Sequence, residues 1–209
     1  MAADAEAFRA ALERSAQTFS VTCDRAQTEA IHRYASLLLT WTARINLTGA
    51  VSLGDLAAEH LPDSFVLASR VGTDRASGID VGSGGGLPAL PLSVLCPGLK
   101  LCLLEPIAKK AAFLRTAVRE LGLGGRVAVD TRRVQAVVPG TFDVAMSRAT
   151  FPPPIWTPIA LELIKPGGRV FVLAATGADE APLAPGLEPA GRWSYLDGRR
   201  HLVELRRPL

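Results

Sequence analysis

The chain has 209 residues, of which 48% are hydrophobic and 21% charged, which fits a globular protein and excludes a disordered or fibrous one. Its net charge of +3 does not by itself indicate a nucleic-acid partner, and no apolar stretch reaches the roughly 18 residues that cross a bilayer. Three cysteines (Cys23, Cys96 and Cys102) show no metal-ligand spacing and are typical of a reducing compartment. We therefore expect a cytoplasmic protein without a metal site or a membrane span.

The first part of the chain is predicted to be helical. One helix is expected over about 4–17 and a longer one over about 24–44. The longer helix begins with Asp24 and Gln27, the spacing of a capping box, and its apolar residues recur at intervals of three and four. A third helix is predicted to run after Ser52 toward Val71. These helices predict an N-terminal helical cap over 1–75.

After Gly78, short strands alternate with helices. Five strands are predicted at 79–81, 101–104, 126–130, 142–146 and 169–174. An apolar helix follows the first strand, and further helices are expected at about 107–121 and 155–164. Strands near 192–196 and 201–206 are joined by Asp197-Gly198, a hairpin turn signal. This alternation predicts an α/β fold over 76–209, with a doubly wound, mostly parallel seven-stranded sheet and an antiparallel hairpin at its edge.

A glycine-rich segment follows the first strand and carries the strongest local signal. It reads Asp80-Val81-Gly82-Ser83-Gly84-Gly85-Gly86, and between a strand and a helix such a loop presents backbone N–H groups to a ligand. The dinucleotide pattern G-x-G-x-x-G fails here, because Leu87 or Ala89 stands where its last glycine belongs. The spacing G-x-G-x-G is that of S-adenosylmethionine (SAM) sites, so a dehydrogenase is disfavoured. A purely structural tight turn is the alternative.

An acidic residue ends the second predicted strand. In open α/β sheets the ligand crevice lies at the carboxyl ends of the strands, where Glu105 is expected. A carboxylate there can accept hydrogen bonds from both ribose hydroxyls of an adenosine. The alternative is an ordinary loop acid.

The order and spacing of several motifs together resemble the small-subunit ribosomal RNA guanine-N7 methyltransferases. The resemblance covers about 24–206 and rests on these segments: Trp41, Asn46-Leu47-Thr48, His60-x-x-Asp63-Ser64, Ile79 to Leu92, Leu103-Leu104-Glu105, Lys109-Lys110, Phe113-Leu114, Phe142-Asp143, Ser147-Arg148-Ala149 and Gly198 to Leu202. It implies a class I SAM-dependent methyltransferase fold, with SAM as cofactor and ribosomal RNA or the small ribosomal subunit as partner.

The resemblance also implies roles for particular residues. The cofactor site would be formed by Gly82, Ser83, Gly84, Gly86, Leu87, Glu105, Val134, Gln135 and Arg148. Candidate substrate contacts are Arg148, Phe151, His60 and Asn46. Three of these also have purely structural interpretations. Phe151 could be an aromatic residue at the edge of the core, His60 a helix residue that makes its hydrogen bonds within the protein, and Asn46 a turn residue.

No catalytic acid or base is predicted. Guanine N7 carries an exposed lone pair and loses no proton on methylation, so the reaction needs in-line orientation, which can supply roughly 7–11 kcal/mol. A base in folded RNA must also be exposed, and aromatic or arginine side chains commonly hold it.

Several residues depart from the family pattern. Glu59 replaces an arginine, Gln135 an acid and Ala89 a glycine, and no lysine precedes Gly177. These changes concern the substrate side more than the glycine loop. They leave two alternatives open, a methyltransferase of a small molecule and a SAM-binding module without catalysis. We expect a monomer in each case.

Overall fold

The computed structural model describes residues 2–72, 74–175 and 184–209. Its N-terminal region contains α1 (Ala2–Phe19), α2 (Arg25–Thr42), the short α3 (Leu53–Asp55), a π-helical turn (Leu56–His60) and α4 (Pro62–Val71). The predicted capping box of α2 is confirmed, since the Asp24 carboxylate accepts from the Gln27 N–H at 2.8 Å and the Gln27 side chain accepts from the Asp24 N–H at 2.9 Å.

The predicted helix after Ser52 toward Val71 has the expected ends, but it is interrupted. The Ser52 hydroxyl accepts from the Asp55 N–H and does begin a helix, but the chain widens into the π-helical turn and restarts at Pro62. Proline has no N–H and is accommodated at a first helical position, where no donor is needed. The break places His60 and Asp63 on either side of the restart.

The described residues form seven strands in one sheet: β1 (Ala76–Val81), β2 (Leu99–Leu104), β3 (Val127–Asp130), β4 (Phe142–Arg148), β5 (Ile164–Ala175), β6 (Glu188–Tyr195) and β7 (Arg200–Arg206). Their spatial order is β3-β2-β1-β4-β5-β7-β6, and β1 to β5 pair in parallel. The predicted doubly wound, mostly parallel seven-stranded sheet is confirmed. Successive strands are added on one side of β1 up to β3 and on its other side from β4 onward. This switch in strand order lies between β1 and β4, the position where open α/β sheets bind ligands.

Three helices and one turn connect the parallel strands: α5 (Ala89–Leu95), α6 (Ala108–Glu120), a 3-10 turn (Val134–Ala136) and α7 (Pro153–Leu163). Two apolar cores lie on opposite faces of the sheet, because neighbouring strand residues such as Leu103 and Leu104 point to opposite sides. The larger core joins α1, α2, α4, α5 and α6 to the sheet, and the smaller core joins α7 to it.

The C-terminal hairpin is confirmed and is longer than expected. Its second strand, β7, lies between β5 and the edge strand β6 and pairs with both in the antiparallel sense. The turn passes through Leu196, Asp197 and Gly198, all with positive φ. In a similar way β5 begins at Ile164, before its predicted start at 169, because Ile164 pairs with Phe142 ahead of a bulge.

Within the described ranges, no helix combines the length and the apolar character that crossing a bilayer requires. The same residues contain no group of three or more His, Cys, Asp or Glu side chains arranged to hold a metal ion.

Candidate cofactor and substrate site

The glycine loop turns sharply at the carboxyl end of β1. The N–H groups of Gly82 and Ser83 both donate to the Leu104 carbonyl at the end of β2, at 2.8 and 3.2 Å. Gly82, Gly84 and Gly86 have φ values of 76°, 55° and 80°, the left-handed region that favours glycine. A Cβ at Gly82 would also collide with the Thr150 side chain. Backbone conformation and close packing therefore both require glycine in this loop.

Glu105 lies beside the loop with its carboxylate fixed by two backbone groups. Its Oε2 accepts from the Gly84 N–H and its Oε1 from the Ile107 N–H, both at 2.9 Å, and the residue is 3% exposed. A carboxylate oxygen can accept more than one hydrogen bond. Glu105 thus has a defined orientation at the predicted ribose position and keeps acceptor capacity for two hydroxyls.

Asp80 is a second buried carboxylate at the same place, and the sequence analysis assigned it no role. It is 1% exposed, and its Oδ2 has no hydrogen-bond partner among the described residues. Burial raises the pKa of Asp80 to about 7, opposed in part by Ser83 and Arg148 and reinforced by Glu105. An acid inside an otherwise apolar strand is costly to bury, which was the available signal. The unpartnered oxygen suits a cationic or N–H-bearing ligand.

The N-terminal helices contact this loop directly. The Tyr34 hydroxyl in α2 donates to the Gly85 carbonyl at 2.6 Å, and the Ser64 hydroxyl in α4 donates to the Pro88 carbonyl at 2.9 Å. Both side chains are buried. Neither contact was predicted, because the partners lie 51 and 24 positions apart in the sequence.

An ionic cluster around the buried Asp63 lies at the end of β4, the strand that pairs with β1. Arg148 Nη1 donates to Asp63 Oδ2 at 3.0 Å and lies 3.4 Å from His60 Nδ1. Arg200 Nη1 donates to the same Asp63 oxygen at 3.0 Å, and the Tyr195 hydroxyl donates to Asp63 Oδ1 at 2.6 Å. Asp63 is fully buried. One carboxylate therefore serves two guanidinium groups, which leaves the cluster with a net positive charge.

The surroundings of His60 in this cluster disfavour its protonated form. Burial lowers the pKa of His60, and the nearby cations Arg148 and Arg200 lower it further. Since a guanidinium only donates, Nδ1 of His60 is assigned as the acceptor and the proton resides on Nε2. The structure thus brings together two of the four predicted substrate contacts, His60 and Arg148.

The remaining predicted residues are spread around this edge of the sheet. Leu87 is buried in the larger core. Val134 begins the 3-10 turn after β3 and packs on the smaller core, whereas Gln135 beside it is exposed. Phe151 also packs against the smaller core, as its structural interpretation requires, and Asn46 is exposed in the loop after α2. Their roles toward cofactor or substrate stay predictions.

The structure shows the surroundings of Glu59 and Ala89, two of the residues that depart from the family pattern. Glu59 forms a two-point ion pair with Arg199, at 2.7 and 3.0 Å, so its negative charge is compensated from the hairpin. Ala89 is the buried first residue of α5. Gly177, before which the lysine is missing, lies outside the described residues.

Solved structures with the same fold place the chain in a class. The [4+2]-cyclase SpnF superposes with a TM-score of 0.62 at 16% identity, covering 90% of this chain and 98% of SpnF. A SAM dependent methyltransferase from Aquifex aeolicus superposes with a TM-score of 0.56 at 16% identity, covering 74% and 93%. Together with the strand order, the loop after β1 and the acid after β2, these define a class I SAM-dependent methyltransferase fold.

Sequence relatives identify the family. The model for GidB, described as rRNA small subunit methyltransferase G, matches residues 27–183. The ribosomal RNA small subunit methyltransferase G of Burkholderia pseudomallei (strain 1106a) is 34% identical over 217 aligned positions, which cover 97% of this chain and 93% of the relative. The chain belongs to the rRNA small subunit methyltransferase G family.

Proposed function

We propose that this protein transfers the methyl group of SAM to the N7 atom of a guanine in small-subunit ribosomal RNA. The relatives it matches along nearly its whole length are named as methyltransferases of that RNA. The observation that carries the proposal at the site is the glycine loop held between two buried carboxylates, Asp80 and Glu105.

The residues present fit SAM as the cofactor. Glu105, already oriented by two N–H donors, would accept hydrogen bonds from the ribose hydroxyls. The unpartnered Oδ2 of Asp80 would accept from the α-ammonium group, the cationic donor that the cofactor carries. Gly82, Ser83, Gly84, Gly86 and Leu87 would form the wall between these two acids. Val134 and Gln135 would lie toward the adenine.

SAM supplies an electrophilic methyl group on a sulfonium, and the chain supplies orientation. The neutral imidazole of His60 offers an N–H donor, and Arg148 is immobilised by Asp63. Because Arg148 and Arg200 share one carboxylate, the cluster retains positive charge for the phosphates of an RNA. Phe151 and Asn46 are our further candidates for substrate contacts, and Arg148 is also a candidate on the cofactor side.

We place this reaction in the cytoplasm and assign it to a monomer. N7 methylation removes no proton from the substrate and needs neither a general base nor a bound metal. Rate enhancement through alignment of the two reactants suffices for such a step.

The experiment is methyl transfer from labelled SAM to deproteinised RNA and to small-subunit particles from cells that lack this gene. Nuclease digestion and mass spectrometry then measure 7-methylguanosine. We expect new 7-methylguanosine in small-subunit ribosomal RNA with the wild-type protein, and a large loss with Glu105→Ala, which cannot hold the ribose.

The other outcomes separate the alternatives. Clear SAM binding without any RNA product would contradict the proposal and favour a small-molecule substrate or a module without catalysis. Methylation at another guanine atom would refute the N7 assignment alone.

A further inference from the structure

We propose that Tyr34 is a positioning residue that sets the conformation of the glycine loop and thereby the affinity for SAM. The inference rests on the proposed use of SAM at this loop. Tyr34 belongs to α2, outside the sheet and its connections. It is 1% exposed, and its hydroxyl donates to the Gly85 carbonyl at 2.6 Å.

This hydrogen bond holds one side of a single peptide unit, and the loop itself holds the other. The N–H of Gly86 donates to the Ser83 carbonyl at 2.7 Å. In a trans peptide the C=O of Gly85 and the N–H of Gly86 point in opposite directions. The plane is therefore fixed from both faces, by Tyr34 on its oxygen and by Ser83 on its nitrogen.

The unit needs such a clamp because it lies within a run of three glycines. Gly84 and Gly86 have φ values of 55° and 80°, and without a Cβ each residue can rotate to other conformations with little steric resistance. Rotation of the Gly85–Gly86 plane would break the hydrogen bond to Ser83 and reorient the loop. The Gly84 N–H, which orients Glu105 at 2.9 Å, is one residue away.

The packing of α2 on the loop supports the same role. A Cβ added at Gly85 would lie 3.0 Å from both Leu38 Cδ1 and the Leu47 carbonyl oxygen. Glycine at this position therefore lets the loop approach α2 closely, and the Tyr34 hydroxyl reaches it there. Fixing a loop in its binding conformation before the ligand arrives increases affinity, because less ordering is left to the binding step.

The test is Tyr34→Phe, which keeps the ring in the core and removes the hydroxyl. Titration calorimetry with SAM and with S-adenosylhomocysteine measures the affinity of the free protein. We expect about tenfold weaker binding of both, the size of effect typical for one buried hydrogen bond. In turnover, KM for SAM should rise by a similar factor, while kcat at saturating SAM and KM for RNA change less than about twofold.

Gln27→Met is the matched control. Gln27 also belongs to α2, and its side-chain amide donates to the Val94 carbonyl near the end of α5, at 2.9 Å. The variant loses this contact between α2 and the rest of the molecule, and also the capping-box bond from the Asp24 N–H, both away from the glycine loop. Its affinity for SAM should equal that of the wild type.

Three results would overturn the inference. They are wild-type SAM affinity in Tyr34→Phe, an equal loss of affinity in Tyr34→Phe and Gln27→Met, and an unaltered KM for SAM. Failure of the wild-type protein itself to bind SAM would instead refute the proposed function, together with this inference. If Tyr34→Phe does not fold, Gly85→Ala displaces the loop from α2 directly, and wild-type affinity in that variant would refute the inference.

Discussion

At the residue scale, the burial of Asp80 makes the stability of the free protein depend on pH. The unfolded chain releases this proton near the ordinary pKa of 3.8, whereas burial raises the pKa of Asp80 in the folded protein to about 7. Because the folded state holds the proton more tightly, its stability falls as the pH rises from about 4 to about 7 and levels off above. A bound ligand with a cationic donor beside Asp80 would offset this loss of stability. The burial of Asp80 would in this way favour binding of such a ligand.

Asp80→Asn removes the titrating group and keeps its shape. We expect the stability of the variant relative to the wild type to increase between pH 5 and pH 8, by about 3 kcal/mol at most. Thermal unfolding of both proteins without ligand across this range measures the difference. A difference that does not vary with pH would show that Asp80 ionises normally.

At the scale of secondary-structure elements, Asp143 in β4 joins three neighbouring strands at the amino end of the sheet. Its Oδ2 accepts from the N–H and the hydroxyl of Ser77 in β1, at 2.7 and 2.6 Å, and its Oδ1 accepts from Lys165 in β5 at 2.9 Å. Partial burial alone would raise the pKa of Asp143, but these hydrogen bonds outweigh it and lower the pKa to about 2. The carboxylate therefore stabilises the registry of β1, β4 and β5.

Asp143→Asn is expected to lower the free energy of unfolding at pH 7 by about 1 kcal/mol, since the ion pair is nearly half exposed and screened by solvent. The stabilisation is present above the ordinary pKa of 3.8 and is lost as the pH falls toward 2, so the difference between variant and wild type should shrink in that range. Urea unfolding between pH 3 and pH 7 tests this. Lys165→Met, which leaves the Ser77 bonds in place, should show a smaller loss.

Local patterns predicted the elements whose signals lie within a few residues. The capping box of α2, the glycine loop after β1 and the acid after β2 are such cases, and each was found where expected. The π-helical turn before Pro62 was missed because an apolar, helix-forming segment does not reveal where its hydrogen bonding shifts by one residue. The contact of Arg148 with Asp63 was missed as well, since the two are separated by 85 positions.

At the scale of the whole molecule, Asp63 connects parts of the chain that are far apart in sequence. Through Arg148, Tyr195 and Arg200 it links α4 to β4, β6 and β7. The N-terminal helices and the C-terminal hairpin therefore converge on one fully buried carboxylate. The division into a helical cap over 1–75 and a core over 76–209 stays a prediction, and this cluster and the Tyr34 contact connect the two ranges.

Asp63→Asn would leave two guanidinium groups without their counter-charge. Removing one partner of a buried ion pair typically destabilises by about 3–5 kcal/mol, and we expect a loss of that order in urea-induced unfolding. Tyr195→Phe removes one hydrogen bond to the same carboxylate and should lose only about 1 kcal/mol. Similar losses in the two variants would mean that the cluster acts through ordinary hydrogen bonding and not through its charge.

The position of β7 also has a consequence for the order in which the sheet is assembled during synthesis. Among the described strands β6 pairs with β7 alone, and β7 is made after β6 and inserts between β6 and β5. Until β7 is in place, β5 presents an unpaired edge and β6 has no strand to join. Exposed strand edges favour association with other chains. The sheet is thus most prone to mispairing before β7 inserts, and the insertion of β7 closes two pairings at once.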